Sequence, residues 1–109
     1  MFNLEHDVVL VTGASRGIGA VIVKTLHDAG AAVILHYYQG EQEARAIAAD
    51  LDSDRICLMQ ADLSVPGAGN ALWHQALVWR GNITALVNNA ATMPAAPIDS
   101  DNNQWSVAW

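Results

Sequence analysis

The sequence predicts an α/β protein built on a doubly wound parallel sheet of about four strands. Short runs of apolar, often β-branched residues alternate along the chain with amphipathic helical stretches, and that alternation is typical of parallel strands joined by helices. A turn rich in glycine stands between the first run and the first helical stretch. The chain has 109 residues, of which 52% are hydrophobic, and this is enough for the packed core of one domain but not of two.

The four predicted strands are short apolar runs closed by residues that favour turns. The first run ends in Thr12 and Gly13, and the third is followed by a segment that contains Pro66 and Gly67. Residues of this kind commonly mark the end of a strand. The strands are expected at residues 8–11, 32–37, 55–60 and 85–88.

The helices are predicted from apolar residues that recur every three to four positions. After the glycine-rich turn this spacing continues as far as Ala29, and Gly30 is well suited to end the helix. A second helix has Ala44, Ile47 and Leu51 on one face and charged residues on the other. The predicted helices span residues 18–29, 44–51 and 68–79, and a fourth begins near Ser100 or Asp101.

Composition and charge exclude several classes of protein. The formal net charge is -6, and the five Lys and Arg residues are scattered along the chain, which argues against binding to nucleic acid. The first residues lack the basic and apolar regions of a signal peptide, and no apolar run approaches the roughly 18 residues of a membrane span. Because Cys57 is the single cysteine, no internal disulfide is possible, and we expect a cytoplasmic protein.

The glycine-rich turn reads Thr-Gly-Ala-Ser-Arg-Gly-Ile-Gly over residues 12–19. Glycines in such a turn allow a tight bend, a close approach of the backbone to a phosphate, and close packing of the helix against the strand. The N-terminus of the following helix presents free N–H groups and a partial positive charge. The turn therefore predicts a site for the diphosphate of a dinucleotide, with a plain strand-to-helix turn as the alternative.

With its spacing of Gly-x-x-x-Gly-x-Gly, the turn resembles the cofactor loop of the short-chain dehydrogenase/reductases, a family of oxidoreductases with a Rossmann-like fold. Two later segments also resemble motifs of that family. They are Asp62-Leu63 after the third strand and Asn88-Asn89-Ala90-Ala91 after the fourth, where the family has Asn-Asn-Ala-Gly. The resemblance covers nearly the whole chain. It implies that residues 1–109 form a single, incomplete NADP(H)-binding domain, truncated before the catalytic half.

The resemblance also implies a role for each segment. Asp62 would accept a hydrogen bond from the adenine amine, with capping of the next helix as its alternative role. Asn89 would steady the sheet and line the ribose site, with a simple turn as its alternative. These positions all fall at the carboxyl ends of strands, where open α/β sheets bind ligands. The implied cofactor-binding residues are Gly13, Ser15, Arg16, Gly17, Ile18, Gly19, His36, Tyr37, Asp62, Leu63, Asn89, Ala90 and Ala91.

The end of the second strand favours NADP(H) over NAD(H). Enzymes specific for NAD usually carry an acidic residue there, which binds the ribose 2′-hydroxyl, whereas this chain reads His36-Tyr37-Tyr38-Gln39-Gly40. Arg16 is expected to pair with the 2′-phosphate, because a guanidinium forms strong charge-assisted hydrogen bonds with phosphate. His36 is expected to donate a further hydrogen bond. The alternatives are a solvated Arg16 and a half-buried strand histidine.

The residues that catalyse hydride transfer in this family do not occur among the 109. The resemblance implies a later serine and a Tyr-x-x-x-Lys pair, in which the tyrosine acts as acid or base and the lysine lowers its pKa. The tyrosines here are Tyr37 and Tyr38, and the only lysine is Lys24, so the sequence has no such pair. No histidine pair has the spacing of metal ligands. We therefore assign neither a catalytic residue nor a metal site.

The substrate is predicted only from a narrower resemblance. Residues 26–37 resemble pteridine reductases, although Gln39-Gly40 replaces the Arg-Ser that those enzymes commonly have. Reductases of 3-oxoacyl-carrier proteins and sugar dehydrogenases share the glycine-rich turn equally well. The expected function is NADP(H)-dependent reduction of a small carbonyl or pterin substrate, in a family that forms dimers or tetramers. The alternatives are a non-catalytic nucleotide-binding fragment and a methyltransferase, which would need an acidic residue closing the second strand.

Overall fold

The computed structural model describes residues 3–89. Within them the strands and helices alternate as β1 (Val8–Thr12), α1 (Gly17–Asp28), β2 (Ala32–Tyr37), α2 (Glu41–Ala49), a 3₁₀ turn (Ser53–Arg55), β3 (Ile56–Gln60), α3 (Ala68–Arg80) and β4 (Ala85–Asn88). The four strands form one parallel sheet in the order β3-β2-β1-β4. The predicted α/β fold is confirmed. The helix predicted near Ser100 or Asp101 lies outside the described residues.

Helices cover both faces of the sheet, and its central strands are therefore apolar on both sides. Every residue of β1 and β2 is buried, as expected for parallel strands that have no face in water. On one face, α1 and α2 pack against alternate residues of the strands, with Val23 and Ile47 among their buried contacts. On the other face, Leu72 and Ala76 of α3 pack against the remaining alternate residues. The result is the doubly wound arrangement that the sequence predicts.

Several boundaries differ from the predicted ones, and the starts of α2 and β3 do so for a local reason. α2 begins at Glu41, three residues before its first buried residue, Ala44. The apolar spacing marks only the buried face, whereas an acidic first turn is favourable at the positive end of a helix. β3 begins at Ile56 because the carboxylate of Asp52 accepts a hydrogen bond from the Asp54 N–H, 3.0 Å away, and holds the preceding residues in the 3₁₀ turn.

Arg55 holds the amino edge of the sheet together. Its Nη1 donates hydrogen bonds to the carbonyl oxygens of His27 and Ala31, at 2.9 and 3.1 Å. The last carbonyls of a helix have no partner within the helix, so a guanidinium at the C-terminus of α1 stabilises it. The ring of His27 is itself buried and accepts a hydrogen bond from the Asp52 N–H at 3.1 Å. This histidine therefore has a packing role.

The carboxyl edge of the sheet contains the point where the strand order reverses. β2 lies on one side of β1, and α3 leads the chain to β4 on the other side, where Thr12 is in register with Asn88. In open α/β sheets, ligands bind outside the carboxyl ends of the strands at such a point. The loop after β1 and Asn89, the residue that follows β4, meet at this point.

Candidate functional site

The glycine-rich loop, residues 13–16, joins β1 to α1 at the carboxyl edge of the sheet. Gly13 and Gly17 have φ angles of 61° and 59°, in the left-handed region that side chains disfavour. A Cβ at Gly17 would meet no other atom of residues 3–89 within 4 Å, so this part of the chain leaves the space above the start of α1 open. The first N–H groups of α1 face this end of the helix and have no partner within it.

Gly19 serves a different purpose from the two glycines before it. A Cβ at this position would lie 2.6 Å from Nδ2 of Asn89, 2.7 Å from Cα of Ala14 and 2.8 Å from the carbonyl oxygen of Gly13. Two of these three atoms belong to the loop backbone, which a rotamer change cannot move. Gly19 is required because α1 packs directly against the loop and against the end of β4, as the third glycine of a dinucleotide turn does.

The peptide groups of Gly13 are fixed from two sides. Its N–H donates a hydrogen bond to Nδ1 of His36 on β2, at 2.9 Å, and its carbonyl oxygen accepts one from Nδ2 of Asn89, at 3.0 Å. The next N–H, that of Ala14, donates to the carbonyl oxygen of His36 at 2.9 Å. The loop is therefore attached to the strands on both sides of β1.

His36 does not have the role predicted for it from the sequence. A donor to the 2′-phosphate was expected at this position, but His36 is only 2% exposed and both of its ring nitrogens already have partners. Nδ1 accepts from Gly13, and Nε2 lies 2.9 Å from the carbonyl oxygen of Ala61. Burial lowers the pKa of His36 below its usual value, and the bond to Ala61 opposes this only in part. The ring is a neutral support beneath the loop.

The hydroxyl of Thr12, which is not among the predicted site residues, joins the ends of β1 and β4. Oγ1 of Thr12 donates to Oδ1 of Asn88 at 3.0 Å and accepts a hydrogen bond from the Asn89 N–H at 3.0 Å. These bonds fix the backbone that carries Asn89, whose side chain then reaches Gly13. The threonine directly before the first glycine was the available signal for this role, since a short hydroxyl side chain at a strand end commonly bonds to neighbouring backbone.

Ser15 and Arg16 extend the loop towards the N-terminus of α2. Oγ of Ser15, which is buried, donates to the carbonyl oxygen of Gln39 at 3.2 Å. The Arg16 side chain is 65% exposed, and its Nη2 lies 4.0 Å from a carboxylate oxygen of Glu43. The same nitrogen would be 3.3 Å from a Cβ at Gly40. The guanidinium therefore lies over the end of β2, with one exposed carboxylate beside it.

The two site residues predicted after β3, Asp62 and Leu63, lie in different environments. Both Oγ and the backbone N–H of Ser64 donate to Oδ1 of Asp62, at 2.6 and 3.0 Å, and these bonds hold the pKa of Asp62 below its usual value. Asp62 therefore closes a turn and does not cap α3, whose N-cap is Gly67. Leu63 is partly buried against the core beneath α3.

Most of the predicted site residues lie at one edge of the sheet. Tyr37 packs into the core formed with α1 and α2, so its side chain contributes to the interior, whereas Ile18 is 72% exposed at the start of α1. Ala90 and Ala91 lie outside the described residues.

Over residues 3–89, no group of three His, Cys, Asp or Glu side chains is arranged to hold a metal ion. In the same part of the chain, no helix is both long and apolar enough to cross a bilayer.

Comparison with known proteins identifies the family. Residues 7–107 match the family described as short chain dehydrogenase, and the chain belongs to this family of oxidoreductases. It is 36% identical over 101 residues to an uncharacterized oxidoreductase of Methylorubrum extorquens, an alignment that covers 91% of this chain and 41% of the relative. It is also 36% identical over 92 residues to versicolorin reductase of Emericella nidulans, covering 82% of this chain and 34% of that enzyme.

A solved structure agrees with this assignment. A short chain dehydrogenase from Burkholderia cenocepacia, determined in complex with NADP, is similar with a TM-score of 0.76 and 37% identity. The similarity covers 81% of this chain and 37% of that structure. The chain thus spans well under half the length of the relatives and structures that it matches.

Proposed function

We propose that residues 1–109 form an NADP(H)-binding domain of an oxidoreductase that reduces a small carbonyl or pterin substrate by hydride transfer. The observation that carries this proposal is the fixed loop between β1 and α1. At Gly17, where α1 begins, a Cβ would meet no atom of residues 3–89 within 4 Å, and the N-terminus of α1 offers partial positive charge there. These features fit the diphosphate of a dinucleotide. The similarity to versicolorin reductase and to a short chain dehydrogenase determined in complex with NADP supports the same proposal.

Each part of the site has a proposed role in holding the cofactor. The backbone N–H groups at the start of α1, Gly17 to Gly19, would bind the diphosphate, with Gly13 and Ser15 fixing the loop behind them. Asp62 and Leu63 would border the adenine, and Asn89 with Ala90 and Ala91 would border the ribose. When bound, the nicotinamide supplies or accepts the hydride. The Ser and Tyr-x-x-x-Lys groups that the family uses for proton transfer would come from the part of such a protein that these 109 residues do not span.

NADP(H) is proposed in preference to NAD(H) because of the charges at the end of β2. The guanidinium of Arg16 lies over Gly40, and the nearest position that would carry an acid in an NAD enzyme is Tyr37, which is buried. Glu43 is the carboxylate beside Arg16, but at 4.0 Å and with both groups exposed the ion pair is weak. Arg16 is therefore free to exchange this partner for a 2′-phosphate, which offers more charge and more acceptor oxygens.

The experiment is a fluorescence titration with NADPH and with NADH, on the wild type and two arginine variants. We expect Arg16→Ala to weaken NADPH binding about tenfold, the cost of roughly one charge-assisted contact in a partly exposed site, and to change NADH binding by less than about twofold. Arg45→Ala is the matched control, since Arg45 is similarly exposed and is paired with Glu41 on α2. Equal losses for both cofactors in Arg16→Ala would refute the preference for NADP(H).

The alternative is a nucleotide-binding module without enzymatic activity. Both alternatives predict cofactor binding. They differ in turnover, so oxidation of NADPH by a carbonyl or pterin substrate, measured on the longest natural protein that contains this sequence, distinguishes them. Cofactor binding without turnover on any such substrate would favour the module.

A further inference from the structure

His36 connects two segments of the carboxyl edge that are distant in sequence. The ring is buried at the end of β2, with Nδ1 2.9 Å from the Gly13 nitrogen and Nε2 2.9 Å from the Ala61 carbonyl oxygen. Gly13 begins the glycine-rich loop, and Ala61 precedes Asp62 at the end of β3. One imidazole thus joins the region proposed for the diphosphate to the region proposed for the adenine.

Only one protonation state of the ring satisfies both contacts. The Gly13 N–H is a donor, so Nδ1 must carry no proton and accept, whereas the Ala61 carbonyl is an acceptor, so Nε2 must carry the proton and donate. The other neutral tautomer places a lone pair against a carbonyl oxygen and an N–H against an N–H. The imidazolium satisfies Ala61 but opposes the Gly13 N–H. Burial, which lowers the pKa of His36, favours the neutral state that these contacts need.

We propose that His36 is a positioning residue, whose neutral Nε2–H imidazole fixes the Gly13 amide and so holds the glycine-rich loop in its cofactor-binding shape before the cofactor arrives. The effect on the cofactor rests on the proposed function, whereas the tautomer and the contact to Gly13 do not. Glycine has the largest backbone freedom of any residue, and Gly13 adopts a φ of 61°. A loop that begins with such a residue binds more tightly when its conformation is already fixed, because less entropy is lost on binding.

Substitutions can separate the two contacts of the ring. In Asn, the side-chain oxygen occupies the same place along the side chain as Nδ1 of histidine, so His36→Asn retains an acceptor for Gly13. In Gln, the amide nitrogen corresponds to Nε2, so His36→Gln retains a donor for Ala61. His36→Phe retains the ring shape and neither contact. If the bond to Gly13 positions the loop, the variant that retains an acceptor for the Gly13 N–H keeps its cofactor affinity and the variants without one lose it. The loss does not depend on the overall stability of the fold.

The test combines binding with a direct observation of the ring. We expect His36→Asn to bind NADPH within about threefold of wild type, and both His36→Gln and His36→Phe to bind about tenfold more weakly, the effect of roughly one hydrogen bond. Chemical denaturation of each variant supplies the stability for comparison. In nitrogen NMR of histidine-labelled protein, His36 should carry its proton on Nε2 and remain neutral, with the exposed His74 on α3 as the control ring in the same spectrum.

Two results would overturn the proposal. One is a proton on Nδ1 of His36 in the folded protein at neutral pH. The other is an affinity of His36→Asn as low as that of His36→Phe while its stability is retained. If the wild type binds no NADPH, the proposed function fails, and the positioning role is then decided by hydrogen exchange at the Gly13 amide. That amide should be protected in the wild type and in His36→Asn and should exchange faster in His36→Phe; equal protection in all three would overturn the role.

Discussion

Replacing Gly19 with Ala tests the packing of α1 against the glycine-rich loop. The added Cβ would lie 2.7 Å from Cα of Ala14 and 2.8 Å from the Gly13 carbonyl oxygen. Ordinary contact between carbon atoms is about 3.5 Å or more, so the loop and the helix must separate by roughly 0.8 Å. That displacement exceeds the roughly 0.5 Å within which a preorganised site must be held. The variant should therefore lose the shape of its loop.

The expected energies have opposite signs. Ala in place of Gly inside a helix is favourable by up to about 1 kcal/mol, whereas inserting a methyl into a packed region costs about 1–3 kcal/mol. Because two of the three close atoms are backbone atoms, we expect the packing cost to exceed the gain and Gly19→Ala to lose about 1–2 kcal/mol in free energy of unfolding. NADPH affinity should fall by tenfold or more, on the order of the effect of a misplaced site.

Gly81→Ala is the matched control for this substitution. Gly81 ends α3 with a φ of 84°, and within the described part of the chain a Cβ there would meet no atom within 4 Å. Backbone strain should cost about 1–2 kcal/mol, similar to the loss in Gly19→Ala, but the site lies outside the loop. Urea denaturation and NADPH titration of both variants supply the comparison. A Gly19→Ala protein with wild-type stability and wild-type affinity would refute the close packing. Recovery of wild-type stability on adding Asn89→Ala would show that the clash is with the Asn89 amide and not with the loop backbone.

Three further predictions concern the contacts around the sheet. Arg55→Met should lower the free energy of unfolding by about 1–2 kcal/mol, because it loses the bonds to the carbonyl oxygens of His27 and Ala31. It should leave NADPH affinity unchanged, and weaker NADPH binding would contradict the separation of the two edges of the sheet. Asn89→Ala removes the hydrogen bond to the Gly13 carbonyl oxygen and should lower the affinity for NADPH about tenfold, as measured by titration. An unchanged affinity would show that this bond is dispensable. Because the pKa of His36 is lowered on folding from 6.5, the unfolded chain binds more protons below about pH 6.5. Stability measured by urea denaturation should therefore fall with decreasing pH, and less steeply in His36→Asn; identical pH dependence would exclude His36 as its source.

The fold could be predicted from the sequence because the patterns that indicate strands and helices are local and recur along the chain. The second and fourth strands have the predicted bounds, since an apolar run bounded by turn residues leaves little choice of ends. The start of α2 at Glu41 was missed because helical spacing reveals only the residues that are buried. The 3₁₀ turn before β3 depends on one side-chain bond from Asp52, and such a bond leaves no periodic trace in a sequence.

The site was predictable in its location but not in its internal contacts. The glycine spacing indicated where the loop lies, because backbone conformation constrains the residue types there directly. The donor role predicted for His36 was wrong because the residue type alone does not show whether a histidine is buried. The two partners of its ring, Gly13 and Ala61, lie 23 and 25 positions away in the sequence. The link between Thr12 and Asn88 crosses 76 positions. Contacts of this kind depend on strand order, which a single sequence does not specify.

The central claim is that backbone amides of the glycine-rich loop and the start of α1 bind the diphosphate of NADP(H). The most direct measurement is the change of backbone amide chemical shifts in nitrogen-labelled protein as NADP⁺ is added. The largest changes should occur at Gly17, Ile18 and Gly19, and residues around Arg55 at the opposite edge of the sheet should not change. Changes confined to the opposite edge, or no saturable change at the start of α1, would contradict the claim.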